Sequence, residues 1–205
     1  MTRLVLASAN PGKLRELAAL LAPLGLEIVP QGELGVSAAA ETGGTFLDNA
    51  LIKARHAADH TGYAALADDS GIEVDALGGR PGVWSARFAG DGASDAANLQ
   101  RLLSELAELP AAPDPATRSA RYQAVIVVVR SAAGPEPLIA RGTWEGHIAA
   151  APRGQGGFGY DPVFVPRGDT RTAAELPEWE KNAMSHRAQA LRALLTRLPA
   201  YIRGP

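Results

Sequence analysis

The sequence has no cysteine, no long apolar run and no excess of basic charge, and each absence excludes a class of protein or of functional site. Without cysteine it has no disulfides, thiolate metal sites or cysteine nucleophiles, which fits a reducing compartment. The longest strongly apolar run, Ala124–Val129, is too short to span a bilayer. A net charge of −2 provides no overall basic field that would hold nucleic acid. We therefore expect a cytoplasmic protein with no membrane or nucleic-acid partner.

Lysine is also scarce. Of the 20 basic residues, all but Lys13, Lys53 and Lys181 are arginine. An ammonium group is a compact point charge, whereas a guanidinium group is a planar fork that needs more room. The three lysines therefore mark positions where only an ammonium group fits, or they fall where they do by chance.

The 205 residues, 46% of them hydrophobic, suit one large α/β domain or two small lobes with a substantial core. Short apolar runs predict strands at Leu4–Ala7, Leu26–Val29, Ala64–Ala67, Arg121–Arg130, Pro137–Ile148 and Val163–Val165. Helical spacing predicts helices after the Ser8–Lys13 loop, from Thr45 to about Thr61, from Ser94 to Leu109 and over Pro177–Leu198. Pro110–Pro115 is a proline-rich break, either a linker or an internal loop.

The stretch Ala64–Arg87 has the densest set of candidate functional residues. A buried strand is followed by Asp68 and Asp69, and then by Ser70 and Gly71. Two adjacent carboxylates stay ionised only near a cation or strong donors, which indicates a ligand site. The same residues are ordinary turn formers, so a solvated turn is an equal alternative.

A second candidate lies at the start of the first helix. Ser8, Asn10 and Gly12 precede or open this helix, and its free backbone N–H groups make a ready anion site to which Lys13 adds a positive charge. The alternative is plain capping by Asn10 with Pro11 in the first turn. Capping and phosphate binding can coexist.

Further candidates lie towards the C-terminus. Phe158 and Tyr160, on a glycine-rich loop, are placed to stack on a flat ring, or they are incidental loop residues. Cationic and donor groups cluster before the last apolar stripe, where they suit an anion or a carbonyl oxygen: Lys181, Ser185, His186 and Arg187. His56 and His60 have metal-binding spacing, but without further ligands we interpret them as helix surface.

Taken together, six motifs resemble the Ham1/RdgB-like inosine triphosphate pyrophosphatase family. They run in order from Ser8 to Arg187, and every lysine falls within one: SANPGK, ETG, LIKAR, LADDSGIEVDALGGRPGVWSAR, GGFGYDP and EKNAMSHR. The set is highly specific, although each motif alone is weak. The resemblance covers nearly the whole chain, with no departure at a functional motif.

The resemblance implies a two-lobed α/β fold, with a long mixed central sheet flanked by helices and the active-site cleft between the lobes. The 205 residues then form a single nucleoside-triphosphate pyrophosphatase domain. It also implies a cytoplasmic homodimer that hydrolyses non-standard purine nucleoside triphosphates (ITP, dITP, XTP) to the monophosphate and pyrophosphate, with Mg²⁺.

The resemblance assigns roles as well. Glu41 and Asp69 are the metal-side carboxylates, Asp69 is also the catalytic base, and Asp68 supports it. The residues matching the family's substrate contacts fall into three sets. The residues assigned to the phosphates are Ser8, Ala9, Asn10, Pro11, Gly12, Lys13, Lys53 and Lys181. Ser70 is a further substrate contact. The residues assigned to the base are Phe158, Gly159, Tyr160 and Asp161 around the ring, with His186 and Arg187 contacting the purine edge.

Two other functions remain open on the residues alone. A non-catalytic nucleotide sensor is disfavoured by the intact carboxylates, and a nucleic-acid-binding protein is disfavoured by the acidic charge balance.

Overall fold

The computed structural model describes residues 3–109 and 115–203, so most of the Pro110–Pro115 break lies outside the described residues. The strands are β1 Arg3–Leu6, β2 Glu27–Pro30, β3 Ala64–Val74, β4 Ser119–Val129, β5 Leu138–Ile148 and β6 Phe164–Pro166. The α-helices are α1 Pro11–Leu21, α2 Phe46–Thr61, α3 Asp95–Ala107, α4 Glu178–Met184, α5 His186–Leu195 and α6 Leu198–Arg203. In this part of the chain no helix is long and apolar enough to cross a membrane.

The six strands form one sheet in the order β2-β1-β3-β4-β5-β6. β1 pairs in parallel with both β2 and β3, whereas β5 and β6 are antiparallel, so the sheet is mixed. The predicted α/β class with a mixed central sheet and flanking helices is confirmed. The helix predicted over Pro177–Leu198 corresponds to α4 and α5, and α6 begins at its last residue.

Within the described residues the chain divides into two compact units. The first unit contains residues 3–69, 124–142 and 187–203, and the second contains residues 70–109, 115–123 and 143–186. The unit boundary falls within β3, β4 and β5, and between His186 and Arg187 in α5. The cleft between lobes stays a prediction.

In the first unit, strand periodicity distributes the core over two faces of the sheet. Side chains alternate between the faces along a strand. On one face Leu4, Leu6 and Leu66 belong to a buried cluster that includes leucines of α1 and α5. On the other face Ala65 and Ala67 belong to a cluster that includes the alanines of α2.

The second unit has one core cluster, rich in aromatic residues. The ring of Tyr122 lies 4.7 Å from that of Phe164 in an edge-on arrangement, and Trp144 lies 5.2 Å from Phe164. Aromatic pairs in these geometries add about 0.5–1.5 kcal/mol beyond their buried area.

Candidate active site

The structure corrects the expectation of a turn at Asp68–Gly71. β3 continues through these residues to Val74, so they are part of a strand. Gly71 does not have a positive φ angle. It is needed for a different reason: a Cβ atom there would collide with the carbonyl oxygen of Gly82 and the hydroxyl group of Ser85. The glycine allows close packing against the chain segment that starts at Gly82.

Because they are consecutive in a strand, Asp68 and Asp69 point to opposite faces of the sheet. Asp68 shares its face with Leu66, on the side covered by α1 and α5. Asp69 shares its face with Ala67, on the side covered by α2. Both carboxylates are buried, at 1% and 5% exposure. The two charges are therefore separated by the sheet and each requires its own cation.

The cations for Asp68 come from α1 and α5. Lys13 Nζ lies 2.8 Å from Asp68 Oδ2, and a guanidinium nitrogen of Arg187 lies 3.4 Å from the same oxygen. Arg187 also forms an ion pair with Glu16, which is buried one turn after Lys13 in α1. Burial alone would raise the pKa of Asp68, but Arg187 and Lys13 outweigh it and hold the pKa well below its usual range.

The cation for Asp69 is Lys53 in α2. Its ammonium group donates to Asp69 Oδ1 at 2.6 Å, to Glu41 Oε1 at 2.9 Å and to the backbone oxygen of Asp68 at 2.9 Å. Burial raises the pKa of Asp69. The charge of Lys53 acts in the opposite direction but does not cancel this effect, so the pKa of Asp69 stays raised. Burial alone would lower the pKa of Lys53, but the two carboxylates outweigh it, so Lys53 stays charged.

The start of α1 is capped as the sequence predicted. Asn10 is the N-cap residue: its side-chain oxygen accepts a hydrogen bond from the Lys13 backbone N–H at 3.0 Å. Pro11 is the first residue of the helix. Ser8 Oγ accepts from the Asn10 N–H at 3.2 Å. Asn10 is exposed, as is its neighbour Ala9, so the helix start is open to solvent.

In the second unit, Asp161 anchors the glycine-rich loop. Its Oδ2 accepts from the Phe158 backbone N–H at 2.9 Å and from Lys181 Nζ at 2.7 Å, and its Oδ1 accepts from the Tyr122 hydroxyl at 3.2 Å. Gly157, with φ +71°, has no room for a Cβ atom against this carboxylate. The third scarce lysine thus also pairs with a carboxylate of a predicted motif.

The two aromatic residues of this loop differ in their surroundings, which corrects the expectation that both are placed to stack on a base. Tyr160 is buried in the core cluster and donates its hydroxyl hydrogen to the backbone oxygen of Ser85 at 2.8 Å. Burial and the charge of Asp95 raise its pKa. Phe158 is only half-buried, and Lys181 Nζ lies 4.9 Å from its ring centroid. Phe158 is therefore the less buried of the two rings.

His186 lies against the same core. Its ring stacks on Tyr122 with centroids 4.6 Å apart and an interplanar angle of 7°. The histidine pair of α2 differs: His60 is exposed, whereas His56 is half-buried and its Nε2 lies 3.0 Å from the backbone oxygen of Ser37.

Comparison with known proteins identifies the family of this chain. The Ham1 family model matches residues 4–197. The chain belongs to the Ham1 family. It is 58% identical over 201 residues to the dITP/XTP pyrophosphatase of Ralstonia nicotianae, covering 97% of each chain. It is 56% identical over 202 residues to the dITP/XTP pyrophosphatase of Methylococcus capsulatus, covering 98% of each. The structure of a HAM1 protein from Coxiella burnetii superposes with a TM-score of 0.88 at 51% identity, covering 97% of this chain and 99% of the other.

For a Ham1 family chain, the residues that could hold Mg²⁺ are Glu41 and Asp69. Across the described ranges, no group of three or more acidic or histidine side chains is arranged to hold a metal ion. Mg²⁺, however, is usually bound through one or two carboxylates together with substrate phosphates and water. Glu41 and Asp69 already converge on one cation, the Lys53 ammonium. Their oxygen donors fit Mg²⁺ in that mode.

The predicted site residues thus form two groups within this Ham1 family chain. In the first unit Lys13 and Lys53 join the carboxylates of Glu41, Asp68 and Asp69. In the second unit Lys181 and Asp161 fix the loop with Phe158. Ser70 follows Asp69 in β3 and belongs to the second unit.

Arg187 differs most from its expected role. The sequence placed it on the purine edge, whereas the structure places its guanidinium group on Glu16 and Asp68, at 2% exposure. A charged group this deeply buried needs charged partners, and these two carboxylates provide them. Its direct contact with the base therefore stays an untested prediction.

Sequence reasoning missed three residues. Glu16 pairs with Arg187, Tyr122 contacts both Asp161 and His186, and Asp95 accepts the Gly159 backbone N–H at 2.7 Å. The sequence could have indicated Glu16, because it follows Lys13 by three residues and therefore lies on the same face of the helix. The other two residues, Tyr122 and Asp95, contact partners 39 or 64 positions away and had no local signal.

Proposed function

We propose that this protein hydrolyses non-standard purine nucleoside triphosphates (ITP, dITP, XTP) to the nucleoside monophosphate and pyrophosphate, removing them from the nucleotide pool. The relatives that bear the name dITP/XTP pyrophosphatase match nearly the whole chain. The observation that carries the proposal is the Lys53 ammonium group, which contacts two carboxylates in the first unit.

In this proposal Asp69 is the general base. Burial raises its pKa towards the operating pH, and a base accepts a proton most effectively when its pKa lies near that pH. Lys53 remains charged and orients the carboxylate by a 2.6 Å contact. Asp68, whose pKa is held low, remains a carboxylate and fixes Lys13. Asp69 would take the proton from the water molecule that attacks the α-phosphorus.

Glu41 and Asp69 would hold Mg²⁺, with the substrate phosphates completing its ligands. When bound, Mg²⁺ neutralises phosphate charge and helps to orient the substrate. The N–H groups at the start of α1 and the ammonium groups of Lys13 and Lys53 would add donors for the triphosphate. Lys181 is assigned instead to the loop anchor, because it pairs with Asp161.

Residues of the second unit would bind the base. Phe158 offers a half-buried ring for stacking, held by the Asp161 carboxylate. His186 can present an N–H group to the six-oxygen of hypoxanthine or xanthine. Adenine carries an amino group at that position, so two hydrogen-bond donors, the amino group and the His186 N–H, would face each other. One buried unpaired donor costs about 1–3 kcal/mol. We therefore expect ITP and XTP to be preferred over ATP.

The experiment is a panel of ITP, dITP, XTP, GTP and ATP with Mg²⁺, with product analysis in ¹⁸O-labelled water. We expect ITP, dITP and XTP to be the best substrates and the label to appear in the monophosphate. Label in inorganic phosphate, or accumulation of the diphosphate, would contradict attack at the α-phosphorus. Nucleotide binding without turnover would favour the sensor alternative.

The assembly and location belong to the same proposal. We propose a homodimer in the cytoplasm, supported by the family resemblance. Analytical ultracentrifugation of the purified protein would show a dimer mass, and a monomer at working concentrations would contradict the assembly.

A further inference from the structure

The loop that carries Glu41 is tied to α2 by one buried side chain, Asn49. Asn49 is 0% exposed, and its Oδ1 accepts the Gly43 backbone N–H at 2.8 Å. A Cβ atom at Gly43 would lie 2.8 Å from the same oxygen and would collide with Asp48. The loop backbone therefore lies directly on the first turn of α2, and glycine is needed for that approach.

Asn49 and Lys53 are four residues apart in α2, so they lie on the same helix face one turn apart. This face contacts the Glu41 loop twice. Asn49 binds its backbone at Gly43, and Lys53 binds the Glu41 carboxylate at 2.9 Å. The position of the carboxylate thus depends on a neutral contact at one turn and a charged contact at the next.

The acceptor oxygen is the atom of Asn49 on which this contact depends. Within the described residues, its buried Nδ2 has no hydrogen-bond partner. A hydrophobic side chain of similar size would therefore lose one contact, that with Gly43. It would also leave the N–H of Gly43, a half-buried residue, without its acceptor in the protein.

We propose that Asn49 is a positioning residue for Glu41. Its amide oxygen fixes Gly43 and thereby holds the Glu41 carboxylate where it meets Lys53 and the cation that accompanies the substrate. The last step depends on the proposed function, whereas the fixing of the loop does not.

The test compares Asn49→Leu, which removes the acceptor at similar volume, with Asn49→Asp, which keeps it. The first measurement is hydrogen exchange at the Gly43 amide in the metal-free protein. We expect exchange at least about tenfold faster in Asn49→Leu and near wild type in Asn49→Asp. Unchanged exchange in Asn49→Leu would overturn the proposal. If Asn49→Leu does not fold, Asn49→Ala removes the same acceptor without a clash.

The second measurement is the Mg²⁺ concentration that gives half-maximal ITP hydrolysis. Loss of a residue that orients a metal ligand typically costs about 10–100-fold in metal affinity, so we expect that rise in Asn49→Leu, with the KM for ITP much less affected. Faster Gly43 exchange with an unchanged Mg²⁺ requirement would overturn the link to Glu41. If the wild-type protein does not hydrolyse ITP, the proposed function fails while the exchange measurement still tests the loop contact.

Asn98→Leu is the control, and it removes one contact more than Asn49→Leu does, because Asn98 Nδ2 also donates to the Ala86 backbone oxygen at 3.1 Å. Asn98 is also buried in a helix, at 2% exposure, and its Oδ1 accepts the Ala89 backbone N–H at 2.7 Å. Asn98 belongs to the second unit. We expect faster exchange at Ala89 in this variant, with the Gly43 exchange and the Mg²⁺ requirement unchanged. If Asn98→Leu alters both as strongly as Asn49→Leu does, general destabilisation explains the effects and the proposal fails.

Discussion

Replacing Lys181 with methionine removes an ammonium group that contacts the buried carboxylate of Asp161. The two side chains are 6% and 4% exposed, and their charged atoms are 2.7 Å apart. In the variant, Asp161 keeps the Phe158 N–H and the Tyr122 hydroxyl as donors, but loses the Lys181 charge. The Asp161 carboxylate therefore loses its compensating positive charge, and because it is buried, water cannot replace that charge.

Breaking a buried ion pair by removing one partner costs about 3–5 kcal/mol. Two neutral donors to Asp161 remain, so we expect the lower end, about 3 kcal/mol, in the free energy of unfolding for Lys181→Met. Removing the carboxylate charge as well, in Asp161→Asn/Lys181→Met, avoids the uncompensated charge. The double variant should therefore be more stable than the sum of the single changes predicts, by about 2 kcal/mol.

Urea denaturation at pH 7, followed by tryptophan fluorescence, measures these values, since Trp144 is buried in the same unit. Arg80→Met is the matched control. Arg80 lies at the same 2.7 Å distance from Glu105, but its side chain is 55% exposed. Exposed pairs contribute about 0.2–1 kcal/mol, so this variant should lose far less stability. Equal losses in Arg80→Met and Lys181→Met would refute the reasoning from burial.

Three further predictions concern the first unit. Asp69→Asn should lower kcat by about 10²–10⁴-fold with nucleotide binding partly retained, and near-wild-type turnover would remove Asp69 as the base. Lys13→Arg and Lys53→Arg should each lower kcat/KM for ITP, because a guanidinium group cannot take the place of a buried ammonium group; unchanged values would mean that the scarcity of lysine is chance. Asp68 has a folded-state pKa well below its unfolded value of about 3.9, so its stabilisation is fully present above that value and is lost as the pH falls from there towards the folded-state pKa. Asp68→Asn should flatten this acid dependence in urea titrations, and an unchanged slope would contradict the assignment.

The sequence predicted the helix starts well because capping is a local property. Thr45 and Ser94 each accept a hydrogen bond from the backbone N–H three residues later, at 3.1 and 3.2 Å. These contacts depend only on side chains within one turn. The three scarce lysines were also informative: Lys13, Lys53 and Lys181 each pair with a carboxylate of a family motif. Their part in catalysis stays a prediction.

The sequence failed where distant partners override local preference. Asp, Ser and Gly favour turns, yet β3 runs straight through Asp68–Gly71. The strand is possible because Asp68 meets Lys13 from a helix 55 positions earlier and Arg187 from one 119 positions later. The contact of Arg187 with Glu16 was missed for the same reason, since nothing near Arg187 in the sequence indicates a partner 171 positions away.

Consecutive carboxylates with opposite pKa shifts explain how two adjacent acidic residues can have different tasks. Strand alternation directs Asp68 to two cations, and its pKa falls, whereas Asp69 meets one cation shared with Glu41, and burial raises its pKa. A group with a depressed pKa holds its charge and can anchor Lys13, but it accepts protons poorly. A group with a raised pKa can accept one. The alternation of one β-strand is therefore enough to separate the anchoring carboxylate from the proposed base.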